Sequence, residues 1–242
     1  MKRLSTCLKA LGELFCVFVS VSSGFAQETC NLNVVLPEPQ RIGVDWKNDR
    51  ASTDHYALTL SWSPEHCKAH RKKPRHRFQC VDNHFGFVVH GLWPQSSKAK
   101  DKRGHPRHCK RANPLTPDLI RAHICTVPGV DLLQGGWAKH GTCAFATPAA
   151  YFQKIAELWT ALHKPDMRLL QQQKNTEVTA GDIIKAFVKV NSEHGLKPAH
   201  LTVRVGKGNY LKEIIICYDL QYAYKTCETR GTPPQQRIRM RF

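Results

Sequence analysis

The chain has 242 residues, with 36 Lys and Arg against 19 Asp and Glu, and a formal charge of +17 with histidines neutral. Such an excess draws polyanions over distance, nucleic acid being the commonest; on charge alone, an anionic membrane surface or a basic surface kept for solubility stays open. Beyond the N-terminus no segment approaches the roughly 20 apolar residues that a spanning helix needs, so stable membrane insertion is not expected.

In chain order, the first feature is a leader. Lys2, Arg3 and Lys9 precede the short apolar run Leu14–Val19, and small residues from Ser22 to Ala26 offer a cut after Ala26. This pattern predicts a signal peptide over residues 1–26 and a mature chain of residues 27–242 carrying +15, read as a single domain. Eight of the ten cysteines remain: Cys30, Cys67, Cys80, Cys109, Cys125, Cys143, Cys217 and Cys227. An even number behind a leader predicts a disulfide framework in an oxidising compartment, periplasmic or extracellular. Spacing alone leaves about 105 pairings open.

The stretch His55–Trp62 alternates as a strand. Phe85–Val89 is a short apolar run that predicts a buried strand ending at His90, before the breakers Gly91 and Pro94. Thr116–Pro117, Thr147–Pro148 and Thr179 can each cap a helix. The second of these helices should run to about His163 with Phe152, Ile155, Ala156 and Trp159 on one face. Leu211–Leu220 predicts another buried strand. Strands and helices mix without a βαβ rhythm, which points to an α+β fold. Residues 68–77 and 98–111 are strongly basic, lack apolar periodicity and are expected as loops, either solvated or tracking a phosphate backbone. The tail alternates Arg237, Arg239 and Arg241 with Ile238, Met240 and Phe242, which fits a last strand or a frayed end equally.

Chemistry concentrates in two segments, His90-Gly-Leu-Trp93-Pro94 and Trp137-Ala-Lys139-His140-Gly-Thr-Cys143. Each puts a histidine before a glycine and near a tryptophan. Two imidazoles suffice to cut RNA through its own 2′-hydroxyl, one taking the 2′-OH proton and the other protonating the departing 5′-oxygen. Lys139 would add fixed positive charge where the phosphorane becomes negative. Taken alone, two histidines this far apart are more often core or surface residues than a catalytic pair.

These segments resemble the two active-site segments of the ribonuclease T2 family, in the same order and about fifty residues apart, and the resemblance spans about residues 54–228. It implies a T2-like α+β fold, a central and mainly antiparallel sheet packed with helices and stapled by disulfides. It also implies endonucleolytic cleavage of single-stranded RNA through 2′,3′-cyclic phosphate ends, with no cofactor and no metal. DNA, lacking the attacking hydroxyl, should bind at most unproductively. On this resemblance His90 matches the general acid, His140 the general base, Lys139 the transition-state lysine, and Trp93 a tryptophan that stacks on a base. It further implies the bridges Cys109–Cys143, Cys67–Cys80 and Cys217–Cys227, which leaves Cys30 for Cys125. A bacterial-type, secreted monomer is expected.

One departure stands out. The family usually carries a glutamate three residues before the lysine, and here that position is Gly136, preceded by Gly135. A carboxylate such as Asp131 could reach in instead. Without one, the competing expectation is a catalytically weak or silent RNA-binding effector of the same fold. A second competing reading is a zinc site among His66, Cys67, His70, His76, Cys80 and His84, which the surrounding lysines and arginines would oppose.

Overall fold

A computed structural model describes residues 30–175 and 177–242, so the leader predicted at residues 1–26 lies outside the described residues. Among the described residues four strands form one antiparallel sheet: β1 (His55–Trp62), β2 (Phe87–Gln95), β3 (Leu201–Val205) and β4 (Leu211–Tyr218), in the order β2-β1-β4-β3. The fold is α+β. One face of β1 sends Leu58 and Leu60 into the main core with Ile214 and Ile216 of β4. On the other face Ala57, Ile215 and Cys217 form a small apolar patch, with Trp93 packed against it. Residues alternate between faces along a strand, so Ser61, Glu213 and Trp93 belong to this second face.

The pairing of β1 with β2 is interrupted where the chemistry is expected. Thr59 pairs with Gly91 and Leu60 with Val89, so His90 is the extra residue of a β-bulge. A bulge bends the strand and re-aims the side chain it carries. Contrary to the expected stop at His90, β2 continues through Gly91 and Pro94 to Gln95. Its place at the sheet's edge explains the tolerance: a proline there lacks only a donor that would face outward.

Helices cover the main-core face. The helices are α1 (Ser63–His70), α2 (Pro117–His123), α3 (Val130–Lys139), α4 (Pro148–Ala161), α5 (Met167–Gln173) and α6 (Ala180–Val190). Thr116, Thr147 and Thr179 all cap as expected, and Thr179 closes a reciprocal capping box with Asp182. Along α4, Phe152 and Ile155 are buried as the period predicts; Tyr151 and Leu158 complete the buried face. The first basic stretch is partly helical rather than a loop, since α1 runs to His70 and a turn of 3-10 helix spans Pro74–His76. The C-terminal tail is anchored, with Ile238 buried and backbone bridges at Arg237 and Arg239. Disulfides join Cys30 to Cys125, Cys67 to Cys80, Cys109 to Cys143 and Cys217 to Cys227.

Tyr151 ties the helical layer to β2. Its buried hydroxyl donates to the Leu92 carbonyl (3.1 Å) and accepts from the Leu92 N–H (3.3 Å), two residues from the bulge. Tyr151→Phe should therefore strand a buried donor and acceptor. We expect a loss of about 1–3 kcal/mol, read from the midpoint of urea unfolding at unchanged slope.

Candidate active site

His90, Trp93, Lys139 and His140 come from a bulged edge strand and from the end of α3, and the fold gathers them. The Trp93 indole lies edge-on to the His90 ring at 5.3 Å between centroids and stacks on the His140 ring at 5.5 Å. Both histidines thus share one neighbour. With one face of Trp93 taken up by His140, the indole packs the two imidazoles as well as offering an aromatic surface.

The glycines after the two histidines make this closeness possible. A Cβ on Gly91 would stand 2.7 Å from the Trp93 indole nitrogen. One on Gly141 would stand 2.4 Å from a Trp137 ring carbon and 2.9 Å from the Tyr151 ring. Each His-Gly pair is therefore a histidine held against a chain that an aromatic ring presses on.

The histidines differ in their partners. The Nδ1 of His90 is 2.9 Å from Oε1 of Glu213, a carboxylate only 4% exposed on β4. That contact leaves Nε2 of His90 for the cleft. Burial pushes the Glu213 pKa up, but the hydrogen bond from His90, helped by Lys212 and Arg204, outweighs it and leaves the carboxyl below its ordinary value. Among the described residues His140 has no carboxylate partner. Its Nε2 sits 3.4 Å from Nη1 of Arg107. Guanidinium can only donate, so a hydrogen bond between them requires an unprotonated Nε2; the proton then sits on Nδ1, which is buried without a hydrogen-bond partner among the described residues. Burial first, then Arg107, His90 and Lys139, hold the His140 pKa well below 6.5.

Arg107 belongs to a brace that sequence reasoning missed. Its Nε and Nη2 grip Asp45 at 2.9 and 2.6 Å, and the Lys139 ammonium lies 3.3 Å from the same carboxylate. Cys109–Cys143 and a hydrogen bond from His108 N to Lys139 O join this basic segment to the end of α3. The suggested stand-in carboxylate, Asp131, lines a cleft together with His90 and makes no ion pair with the gathered side chains. Among the described residues, Glu213 and Asp45 are the carboxylates in contact with the gathered side chains.

A cleft of about 500 Å³ is lined by His90, Glu213, Lys212, His66, His70 and His76, and not by Trp93, Lys139 or His140. The rings of His66, His70 and His76 stack face to face and edge to face at 4.3–4.8 Å. Burial and mutual repulsion bring His66 and His76 each down to about 4. Among the described residues no three His, Cys, Asp or Glu side chains are placed to hold a metal ion, so this stack does not fit the zinc reading.

The sequence model of the Ribonuclease T2 family matches residues 53–227. The chain belongs to the ribonuclease T2 family. A "Probable ribonuclease" of Haemophilus influenzae is 36% identical over 192 residues, covering 76% of this chain and 64% of that protein. A "Ribonuclease" of Aeromonas hydrophila is 38% identical over 115 residues, covering 48% of this chain and 49% of that protein. The matched stretch therefore spans less than two thirds of each of these two relatives, and just under half of the second. "Ribonuclease I" of Escherichia coli is 27% identical over 199 residues, covering 67% of this chain and 74% of that protein. Among solved structures, the S-like ribonuclease trichomaglin superposes with a TM-score of 0.58 at 18% identity, over 78% of this chain and 98% of that one. An RNase-related protein from Calystegia sepium gives 0.59 at 19%, with the same coverage. At such identities the likeness is one of fold. In this T2 member Glu213, Arg107 and Asp45 join the residues that the motifs mark. Only Glu213 left a signal in the sequence, as an acidic residue inside an otherwise buried run.

Gly135 and Gly141 separate crowding from helix propensity. Gly141→Ala, with its Cβ inside the Trp137 ring contact, should cost about 1–3 kcal/mol. Gly135→Ala meets nothing nearer than 3.8 Å and, mid-helix, should stabilise by about 0.5–1 kcal/mol. Thermal unfolding of the two variants compares them directly.

Proposed function

We propose that this protein is an endoribonuclease that cleaves single-stranded RNA by transphosphorylation, with His140 as general base and His90 as general acid. The observation that carries this reading is the Trp93 indole in contact with both imidazoles. In the reaction, the 2′-oxygen attacks phosphorus while its proton passes to Nε2 of His140, whose lone pair Arg107 Nη1 releases as it turns to the phosphate. The P–O5′ bond then breaks and Nε2 of His90 protonates the leaving oxygen. The products are a 2′,3′-cyclic phosphate and a free 5′-hydroxyl.

The partners of the two rings support these roles. A protonated His90 faces the Glu213 carboxylate, whereas a protonated His140 would face Arg107 and Lys139. The ring that is electrostatically welcome as a cation is the acid, and the one held neutral is the base. Lys139 and Arg107 supply N–H groups and positive charge for the phosphorane oxygens. No metal enters the scheme. DNA binds without being cut, because it has no 2′-hydroxyl. Ribonuclease names among the relatives agree with RNA as substrate, as does a solved neighbour, RNase NT, whose crystal structure is a complex with 5′-AMP. Four disulfides fit export to the periplasm or the medium after leader cleavage, as a monomer.

The decisive assay mixes oxidised, purified protein with single-stranded RNA and EDTA and analyses the ends produced. Wild type should yield cyclic-phosphate ends, and His90→Ala and His140→Ala should each lose about 10²–10⁴-fold. Cutting that survives His140→Ala would locate the chemistry elsewhere. RNA that is bound and left whole by the wild type would favour a silent binding protein.

Two further outcomes follow from the ring partners. Because the His140 pKa lies well below 6.5, the base stays deprotonated into acid, so the acid limb of kcat/KM should fall below pH 6.5 and leave activity at mildly acidic pH. Glu213→Gln keeps the shape and removes the charge opposite His90. A charge-assisted hydrogen bond of about 1.5–3 kcal/mol is at stake, so the rate should drop roughly tenfold or more.

A further inference from the structure

Asp45 lies in an extended segment before β1 that is fastened to the second basic stretch. Asn48 and Arg107 exchange backbone hydrogen bonds of 2.9 and 3.0 Å, the Asn48 side-chain amide donates to Arg103 O at 2.8 Å, and the Trp46 ring lies 3.9 Å from the Arg107 guanidinium. The Asp45 carboxylate accepts the adjacent Trp46 N–H at 2.9 Å, and its side-chain partners are cations and an imidazole. Oδ1 takes Nε of Arg107 and lies 3.3 Å from Nε2 of His108, while Oδ2 takes Nη2 of Arg107 and lies 3.3 Å from the Lys139 ammonium. The bidentate grip uses one edge of the guanidinium. The nitrogen left over, Nη1, is the one 3.4 Å from His140 Nε2.

From this arrangement we propose that Asp45 is a positioning residue of the site. It fixes Arg107 and Lys139 together so that their remaining N–H groups face the phosphate attacked by the ribose 2′-hydroxyl that His140 deprotonates. A fork bound by two parallel hydrogen bonds has a defined plane and direction, which a lone arginine on a mobile loop lacks. Helix α3 cannot supply such a carboxylate itself, since the residues one turn before Lys139 and His140 are Gly135 and Gly136. The contrary arrangement, a carboxylate that occupies the phosphate's own place, would be expected to cover the donors nearest His140. On Arg107, Asp45 instead takes the opposite edge and leaves Nη1, turned to His140 Nε2, clear of any carboxylate, and it approaches Lys139 with one oxygen only.

This proposal rests on the ribonuclease reading, and the experiment separates the two. Wild-type cleavage, abolished in His140→Ala, tests that reading first. Asp45→Ala and the isosteric Asp45→Asn are then compared with wild type, with circular dichroism and thermal unfolding confirming a native fold. A misplacement of about 1 Å can cost roughly 100-fold, so kcat should fall about 10–100-fold while KM changes less than about threefold. In the Arg107→Ala background, Asp45→Ala should cost far less than in wild type, because Asp45 acts through Arg107. Gly136→Glu, three and four residues before Lys139 and His140 and with its Cβ 3.4 Å from the Tyr151 hydroxyl, should restore part of the rate to Asp45→Ala. A reading independent of turnover is the Arg107 Nε–H signal in ¹⁵N NMR, which should be protected from exchange in wild type and lost in Asp45→Asn. Equal or higher activity in both Asp45 variants would overturn the proposal in favour of a carboxylate that competes with phosphate. Full additivity with Arg107→Ala, or an unchanged Arg107 signal, would overturn it as well.

Discussion

The site depends on one electrostatic constraint: an imidazole 3.4 Å from one permanent cation, and next in the chain to another, is disfavoured as a cation itself. His140 meets it by being partly buried and by turning Nε2 toward Arg107, while Lys139 directly precedes it at the end of α3. Under the proposed mechanism, cations placed for a phosphate also oppose protonation of the neighbouring ring, so stabilising the transition state and keeping the base free would be served by the same groups. The arrangement must then be rigid, because a ring that swung into solvent would regain its ordinary affinity for a proton. Gly141 lets the chain lie against Trp137 and Tyr151, and the Cys109–Cys143 bridge holds the basic segment to the end of α3.

His90 is held by the opposite logic. The bulge takes it out of register with β1, and β4 brings Glu213 across the sheet's second face to meet it. A buried carboxylate is costly unless it is paired, and its pairing with His90 orients the ring and selects the nitrogen that meets the cleft. The two histidines occupy similar contexts in sequence, each before glycine and near tryptophan. Under the proposed mechanism, their difference in role comes from what the fold places behind each ring.

That contrast also explains what could be read in advance. The helices α2, α4 and α6 were legible because threonine caps and apolar periods are local signals, and β1 because it alternates. The motif around His90 was legible as a motif, but the strand carrying it was cut short, since Gly91 and Pro94 read as breakers until their edge position is known. Helix α3 was not anticipated: its glycines at 135 and 136 weaken propensity, and it forms because Val130, Leu133 and Trp137 are buried on one side. Glu213 could have been suspected as a charge inside Leu211–Leu220. Asp45 could not, because an aspartate in an extended segment has nothing local to mark it, and Arg107 was one of many basic residues in its stretch. Proximity created by tertiary structure carries no spacing signature.

The positive charge of the chain divides along the same line. On the proposed ribonuclease reading, the exposed lysines and arginines of residues 68–77 and 98–111 would draw RNA through water, over distances comparable with the roughly 8 Å Debye length at physiological salt, and would be screened accordingly. Arg107 belongs to the same stretch by sequence but not by physics. Its side chain is only 13% exposed, clamped by Asp45 and laid on Trp46, and the field it exerts on His140 crosses little solvent. A net charge therefore mixes two quantities, one that brings a polyanion to the surface and one that shapes a single proton's free energy at one nitrogen. Distinguishing them requires knowing which cation has a fixed partner, and here that partner is a carboxylate far from it in the chain.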